Sequence, residues 1–149
     1  MMATDMLVDL RVFTLKRPAP YSTSSPDVDV RRAIESDRET LSSLVASEFA
    51  ESWVGATAVA YQRRPVSAFV AIRAHDVIGF AFYDIAFRGY FGPTGVSEVD
   101  RGGGIGARLL VAALGDMARK GYAYAVIGDV GPIDFYRKVC GAIVIPKVE

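Results

Sequence analysis

The stretch Val96 to Leu110, VSEVDRGGGIGARLL, decides how this chain is read. An apolar start gives way to a glycine run, Gly102-Gly103-Gly104-Ile105-Gly106, and then to a helical pattern in which Leu110, Ala113, Leu114 and Met117 recur at i, i+3, i+4 and i+7. Asp116 stands four residues before Lys120, a favourable ion pair on a helix, and Gly121 supplies a stop. A strand that enters a glycine loop and leaves it as a helix makes an anion cradle. Glycines let the backbone approach closely, and the free N–H groups of the first helical turn point at the anion with a favourable dipole. A tight turn alone needs one or two glycines. Four of them beside Arg101 favour the anion site.

Two nucleotide motifs can be weighed on the same residues. Gly102-x-Gly104-x-x-Ala107 has the letters of a dinucleotide fingerprint, and Asp129 ends the next strand about where a ribose-binding acid would stand. That motif requires its first glycine directly after a buried strand, at the start of a large βαβ array. Here Ser97 to Arg101 are mostly polar and 42 residues follow Ala107, which weakens the dinucleotide reading. A nucleotide-hydrolysing P-loop is excluded because no Lys-Ser/Thr pair follows the glycines.

Outward from the loop, Tyr122 to Ile127 reads as an apolar, aromatic strand, Pro132 suits the first turn of a helix, and Ala142 to Ile145 is a last strand. Upstream, Gly92 to Val96 is a strand candidate. Val66 to Ile72 and Val77 to Ala86 are β-branched and aromatic, and the polar break Arg73-Ala74-His75-Asp76 has hairpin length. Val28 to Ala33 alternates like a strand. Ser36 with Glu39 has the form of a capping box, which starts a helix with Leu41, Leu44, Val45 and Phe49 on one face. Trp53 to Tyr61 reads as a second, weaker helix ended by Pro65. Lys16 to Asp27, with Pro18, Pro20, Pro26 and the cluster Ser22 to Ser25, reads as a linker. It joins a strand-like piece, Met6 to Leu15, to the main body, so residues 1–27 form an N-terminal segment and 28–149 the domain. The order strand, two helices, three strands, helix, strand, helix, strand is an α/β layered domain with mixed pairing.

Composition narrows the partners. The 149 residues carry 17 Lys+Arg and 17 Asp+Glu, so the net charge is zero, and 51% of them are hydrophobic. This is one foldable domain rather than a disordered chain. It lacks the broad positive field that non-specific nucleic-acid binding needs. One cysteine, Cys140, and one histidine, His75, cannot build a structural zinc site, and no metal is expected. Asp9 and Arg11 interrupt the apolar Met6 to Leu15, so no signal peptide or spanning helix is expected there, and the reading is a cytoplasmic protein with no membrane partner.

Arg101-x-x-Gly104-x-Gly106 matches the (Gln/Arg)-x-x-Gly-x-(Gly/Ala) signature of the GCN5-related N-acetyltransferases, the GNAT superfamily. Arg73 to Phe80, RAHDVIGF, is similar to that family's hairpin between its second and third strands. Asp129 to Gly141, DVGPIDFYRKVCG, resembles its second cofactor segment. With Val30-Arg31 to Glu39, the resemblance covers about residues 28 to 145 in order. It implies a mixed, mostly antiparallel central sheet flanked by helices. It also implies direct transfer of an acetyl group from acetyl-CoA to an amine of a small molecule or protein.

On that resemblance, Arg101, Gly102, Gly103, Gly104, Ile105, Gly106 and Ala107 would hold the cofactor's pyrophosphate, and Gly95, Val96 and Ser97 its pantetheine arm. Tyr136 occupies the position of a general acid for the departing thiolate, and Asp129 replaces the usual Asn. The general base is open. Arg88 to Val96 holds no acid, which leaves Asp84 and Glu98 as candidates, each also readable as a solvated or capping carboxylate, with a water-mediated route as the alternative. Trp53, Tyr61, Tyr83, Arg88 and Tyr90 are acceptor-site candidates by position, and each is equally readable as packing. His75 is expected in an exposed turn and Cys140 as a small buried residue. Because residues after Ile145 are too few for the seventh strand usual in the family, Met6 to Leu15 is expected either to add a strand to the sheet or to reach a partner subunit in a homodimer. A module that holds acyl-CoA without turnover is the competing reading.

Overall fold

A computed structural model describes residues 3–15 and 25–147. In chain order it has strand β1 (Met6–Asp9), helix α1 (Leu10–Leu15), β2 (Asp29–Arg32), α2 (Arg38–Glu48), α3 (Val54–Gln62), β3 (Ala68–Arg73), β4 (Asp76–Tyr83), β5 (Tyr90–Val96), α4 (Ile105–Lys120), β6 (Tyr124–Ile127), α5 (Ile133–Cys140) and β7 (Ile143–Val144). Short 3-10 turns precede α2, α3 and the glycine loop. From β2 onward, element types follow the order expected from the sequence. The seven strands form one sheet, β2-β3-β4-β5-β6-β1-β7, and only the β5–β6 neighbours run parallel.

Val77 to Tyr83 of β4 are all buried, as expected of a strand covered on both faces. On one face α4 lays Ile105, Leu109, Leu110, Leu114 and Met117 against Ala71, Ile78, Ala81 and Phe91. On the other, α2 and α3 pack Leu41, Val45, Ala60 and Tyr61 on Val70, Phe80 and Phe82. The β3–β4 hairpin turns at Ala74 and His75, both at positive φ, and His75 is exposed as expected. An internal ion pair stitches the layers together: the Arg32 guanidinium grips Asp116 of α4, which also accepts the buried Tyr83 hydroxyl.

Two expectations need correction. Met6 to Leu15 is not one strand. It alternates buried and half-buried only as far as Asp9; from there Leu10 and Phe13, three residues apart and both buried, share one face of α1 against α4. β1 adds to the sheet from within: it pairs antiparallel with β6 through Met6 and Ile127 and with β7 through Met6 and Val144, so it separates those two strands. The box expected from Ser36 and Glu39 does not form. Asp37 instead accepts the Ile34 N–H at 2.8 Å and two N–H groups of Arg31, because a salt-bridged carboxylate three residues on reaches back better than a serine in the turn. Of the linker expected over 16–27, residues 16–24 lie outside the described residues. Pro26 and Asp27 form a turn closed by Val28 N–H to Ser25 O.

Candidate functional site

Where β5 and β6 part, the sheet opens. They pair only through Tyr90 with Val126 and Phe91 with Ile127. Gly92 then takes φ +120°, the register against β4 shifts between Ala81 and Tyr83, and the two strands diverge. A channel of about 350 Å³ fills the gap. Phe91, Leu110, Pro132, Phe135 and Tyr136 make its apolar wall, and Thr94, Gly95, Val96 and Gly106 its strand and loop wall. The far edge of β5 is bonded to β4, and Ser97 donates its N–H to Ile78 O. By strand alternation, Val96 and Thr94 direct their backbone groups to the open side.

At one end of the channel lies the glycine loop. Gly102 and Gly104 have φ +87° and +79°, a region in which a side chain is strained, and Gly104 is the residue before the first turn of α4. Among the described residues no side chain caps that turn, which leaves the N–H groups of 105–107 for an anion. The loop is braced from three sides. Arg101 donates to Val96 O at 3.0 Å, Arg73 pairs with Asp100 and with Asp27, and Arg108 donates to Val28 O while its other terminal nitrogen has no partner among the described residues.

Tyr136, in the channel's apolar wall, is 6% exposed, with its ring edge-on to Phe91. Its hydroxyl has no hydrogen-bond partner among the described residues. Burial pushes its pKa up to about 12, with a smaller contribution from Cys140, so the phenol keeps its proton at any working pH. Cys140 gives its thiol to Tyr136 O at 3.1 Å, and burial raises it to about 11, which makes it an inert packing thiol rather than a nucleophile.

The structure thus gathers Gly95, Val96, Gly106 and Tyr136 on one channel, with Ser97, Arg101 to Ile105 and Ala107 in the adjoining loop. Other candidates lie elsewhere. Asp84 is 1% exposed and accepts hydrogen bonds from Gly89 N–H, Lys120 and Tyr122. Burial pushes its carboxyl up, but those donors outweigh it and the net shift is downward. Lys120 ends α4 and the glycine loop precedes its start, so roughly 24 Å of helix separates Asp84 from the cradle. Asp84 closes the β4–β5 turn. Glu98 is exposed, does not line the channel, and gives its N–H to the Glu48 carboxylate. Asp129, exposed, does not line the channel. It ends β6 at φ +49°, held there by its own N–H on Asp5 Oδ1, as an Asn would be tolerated in that conformation.

Of the acceptor candidates, Tyr83 is fully buried on Asp116 and Tyr61 gives its hydroxyl to Ile34 O, so both are core. Burial raises both phenols, Tyr61 to about 12. Arg88 is exposed in the β4–β5 loop, and Tyr90 packs on Phe87 and Gly128 beside the opening. Trp53 is half-buried on the opposite face of the sheet from α4, stacked on Phe49. Two residues carried no local signal in the sequence. Phe49 lies against Gly95, and Glu48 accepts the Ser97 hydroxyl at 2.9 Å and the Glu98 N–H at 3.1 Å.

No protein-family model matches this sequence, and no curated protein matches it. Solved structures do. A GCN5-related N-acetyltransferase from Sphaerobacter thermophilus aligns over 97% of this chain and 50% of its own, with TM-score 0.73 and 20% identity. A GNAT family acetyltransferase from Brucella melitensis, in complex with acetyl-CoA, aligns over 82% of this chain and 91% of its own, with TM-score 0.56 and 20% identity. A glucosamine N-acetyltransferase region of a fungal multi-domain β-N-acetylglucosaminidase aligns over 97% of this chain and 20% of its own, with TM-score 0.71 and 15% identity. The chain spans half or less of the length of the first and third of these. Among the described residues, no helix is long and apolar enough to cross a membrane. The chain has the GCN5-related N-acetyltransferase fold.

Proposed function

We propose that this chain transfers an acetyl group from acetyl-CoA to the primary amine of a small molecule or protein by direct attack. The observation that carries the reading is the channel itself, whose lining joins the first turn of a glycine-led helix to a protonated phenol with no hydrogen-bond partner among the described residues. In this reading residues 102–107 receive the pyrophosphate, whose charge meets the N–H groups of 105–107 and the positive end of α4. The pantetheine amides extend the sheet along the open edge at Thr94 and Val96, as an added strand would. The apolar wall excludes water from the thioester and strengthens each polar contact there.

Transfer then needs an uncharged amine nitrogen to attack the thioester carbon, breaking its C–S bond as a new C–N bond forms. The described residues of the channel wall include no carboxylate, so the ammonium proton leaves to solvent water. Tyr136 donates a hydrogen bond to the departing sulfur and passes it the proton, and the proton that the attacking nitrogen sheds on becoming an amide returns through water to the phenolate. The burial that raises the phenol raises a thiol in the same site as well, which keeps donor and acceptor matched. The structural neighbour that holds acetyl-CoA supports the cofactor, and the solved N-acetyltransferases support the reaction class.

The absence of a carboxylate from that wall also favours a second reading, a module that binds acyl-CoA without turnover. Calorimetric titration with acetyl-CoA tests the shared premise, and no heat at millimolar cofactor would refute both readings. Thiol release across a panel of amines separates them: release identifies the transferase, and binding without release on any amine the silent module.

A further inference from the structure

Two consecutive residues at the end of α2 grip the end of β5 from the side opposite the channel. Phe49 lies so close to Gly95 that a Cβ there would stand 2.5 Å from its Cζ and 3.0 Å from its Cδ1. Glu48 takes the hydroxyl of the buried Ser97 on both carboxylate oxygens and the N–H of Glu98 on one of them. The same strand residues, Gly95 and Val96, form the channel wall on the other side. Phe49 in turn stacks on Trp53 at 5.9 Å between ring centres and meets Phe80 edge-on at 5.1 Å. The cofactor strand therefore shares its last residues with an aromatic wall that faces away from the cofactor.

We propose that Glu48 and Phe49 are positioning residues that couple cofactor binding to the shape of the α2–α3 wall. This rests on the acetyl-CoA reading of the channel. A ligand that adds to the open edge of β5 fixes Thr94 to Val96. Fixing them fixes Phe49 through Gly95 and the α2 terminus through Ser97, so the aromatic wall is set only when the cofactor is in place. Such linkage is reciprocal: a ligand that orders the aromatic wall tightens cofactor binding by the same factor. Glu48 is exposed, so its hydrogen bonds steer the strand without dominating stability.

Trp53 is the chain's single tryptophan, and its place on Phe49 makes it a built-in reporter. Acetyl-CoA is titrated into wild type, Glu48→Ala, Glu48→Gln and Phe49→Leu, with affinity followed by calorimetry and the wall by tryptophan emission. Wild type is expected to bind with a change in emission. Glu48→Ala should bind about fivefold more weakly, the loss of its charge-assisted hydrogen bonds to Ser97 and Glu98 discounted for solvent, with most of the emission response gone. Glu48→Gln, which keeps an acceptor for Ser97, should recover part of both. Phe49→Leu should bind with little change in emission. A purely structural role would lower the melting temperature and leave the emission response per bound ligand intact. Binding heat in wild type with unmoved emission overturns the coupling alone, as does a Glu48→Ala variant equal to wild type in both readouts. No binding heat in wild type overturns the cofactor reading and the coupling with it.

Discussion

Adding one methyl group at Gly95 tests the contact on which the site's rear wall depends. The new Cβ would stand 2.5 Å from Phe49 Cζ, against the 3.5 to 4.0 Å at which carbons rest, so the ring must retreat by at least about 1 Å. It has little room, because Trp53 stacks behind it and Phe80 meets it edge-on. Overpacking of this kind costs about 1 to 3 kcal/mol, and a middle value of about 2 corresponds to a fall in melting temperature of about 6 °C for a chain of this length. The decisive measurement is a double-mutant cycle by thermal or denaturant unfolding. Phe49→Ala loses packing by itself, but on that background Gly95→Ala should cost almost nothing, giving a coupling energy of about 2 kcal/mol. The reasoning fails if Gly95→Ala melts within about 1 °C of wild type, or if the two losses simply add.

The remaining expectations are briefer. Tyr136→Phe should lower kcat by about 10- to 100-fold while the calorimetric Kd for acetyl-CoA holds, because its hydroxyl serves no packing partner; unchanged turnover in an active enzyme would remove it from the chemistry. With that phenol at about 12, kcat/KM should climb with pH as the amine loses its proton and show no descending limb up to about pH 10. A fall near pH 8 would assign the acid to another group. Gly104→Ala forces a side chain into left-handed backbone at the head of α4 and should weaken acetyl-CoA by about tenfold, with equal affinity contradicting the cradle. Asp84→Asn should cost about 2 kcal/mol by leaving Lys120, a quarter exposed, without its partner, yet leave the acetyl-CoA Kd unchanged. Because the folded Asp84 carboxyl titrates below its ordinary 3.8, its stabilisation is present above that value and is lost as pH falls through the lower folded one. Acid unfolding of the variant should therefore be less steep below about pH 4, and identical acid limbs would refute this.

How far the sequence could be read depended on whether the signal was local. The strand, glycine loop and helix over Val96 to Lys120 were legible because backbone conformation and amphipathic period are written in consecutive residues. So was the hairpin around Arg73 to Asp76. Asp84 misled because an acid at a strand end looks the same whether it faces substrate or, as here, a lysine 3.0 Å away at the end of α4 remote from the cradle. Glu48 and Phe49 were illegible as site residues, since their partners Ser97 and Gly95 lie more than forty positions along the chain and only the packing of α2 on β5 brings them together. The neighbours of β1 were illegible for the same reason: its alternation shows that a strand forms, and the choice of β6 and β7 comes from tertiary contact.

That placement of β1 also has a kinetic consequence. Its partners lie near the opposite end of the chain, so the largest loops in the molecule must close before Met6 can meet Ile127 and Val144. During synthesis β1 emerges before the other six strands and waits longest, while β2 to β5 and α4 can already collapse on their shorter-range contacts. The sheet is completed as a late act, with β7 able to join only after β1 has docked on β6. The sulfur end of the proposed channel, on α5 between those two late strands, is accordingly the last part of the site to be built.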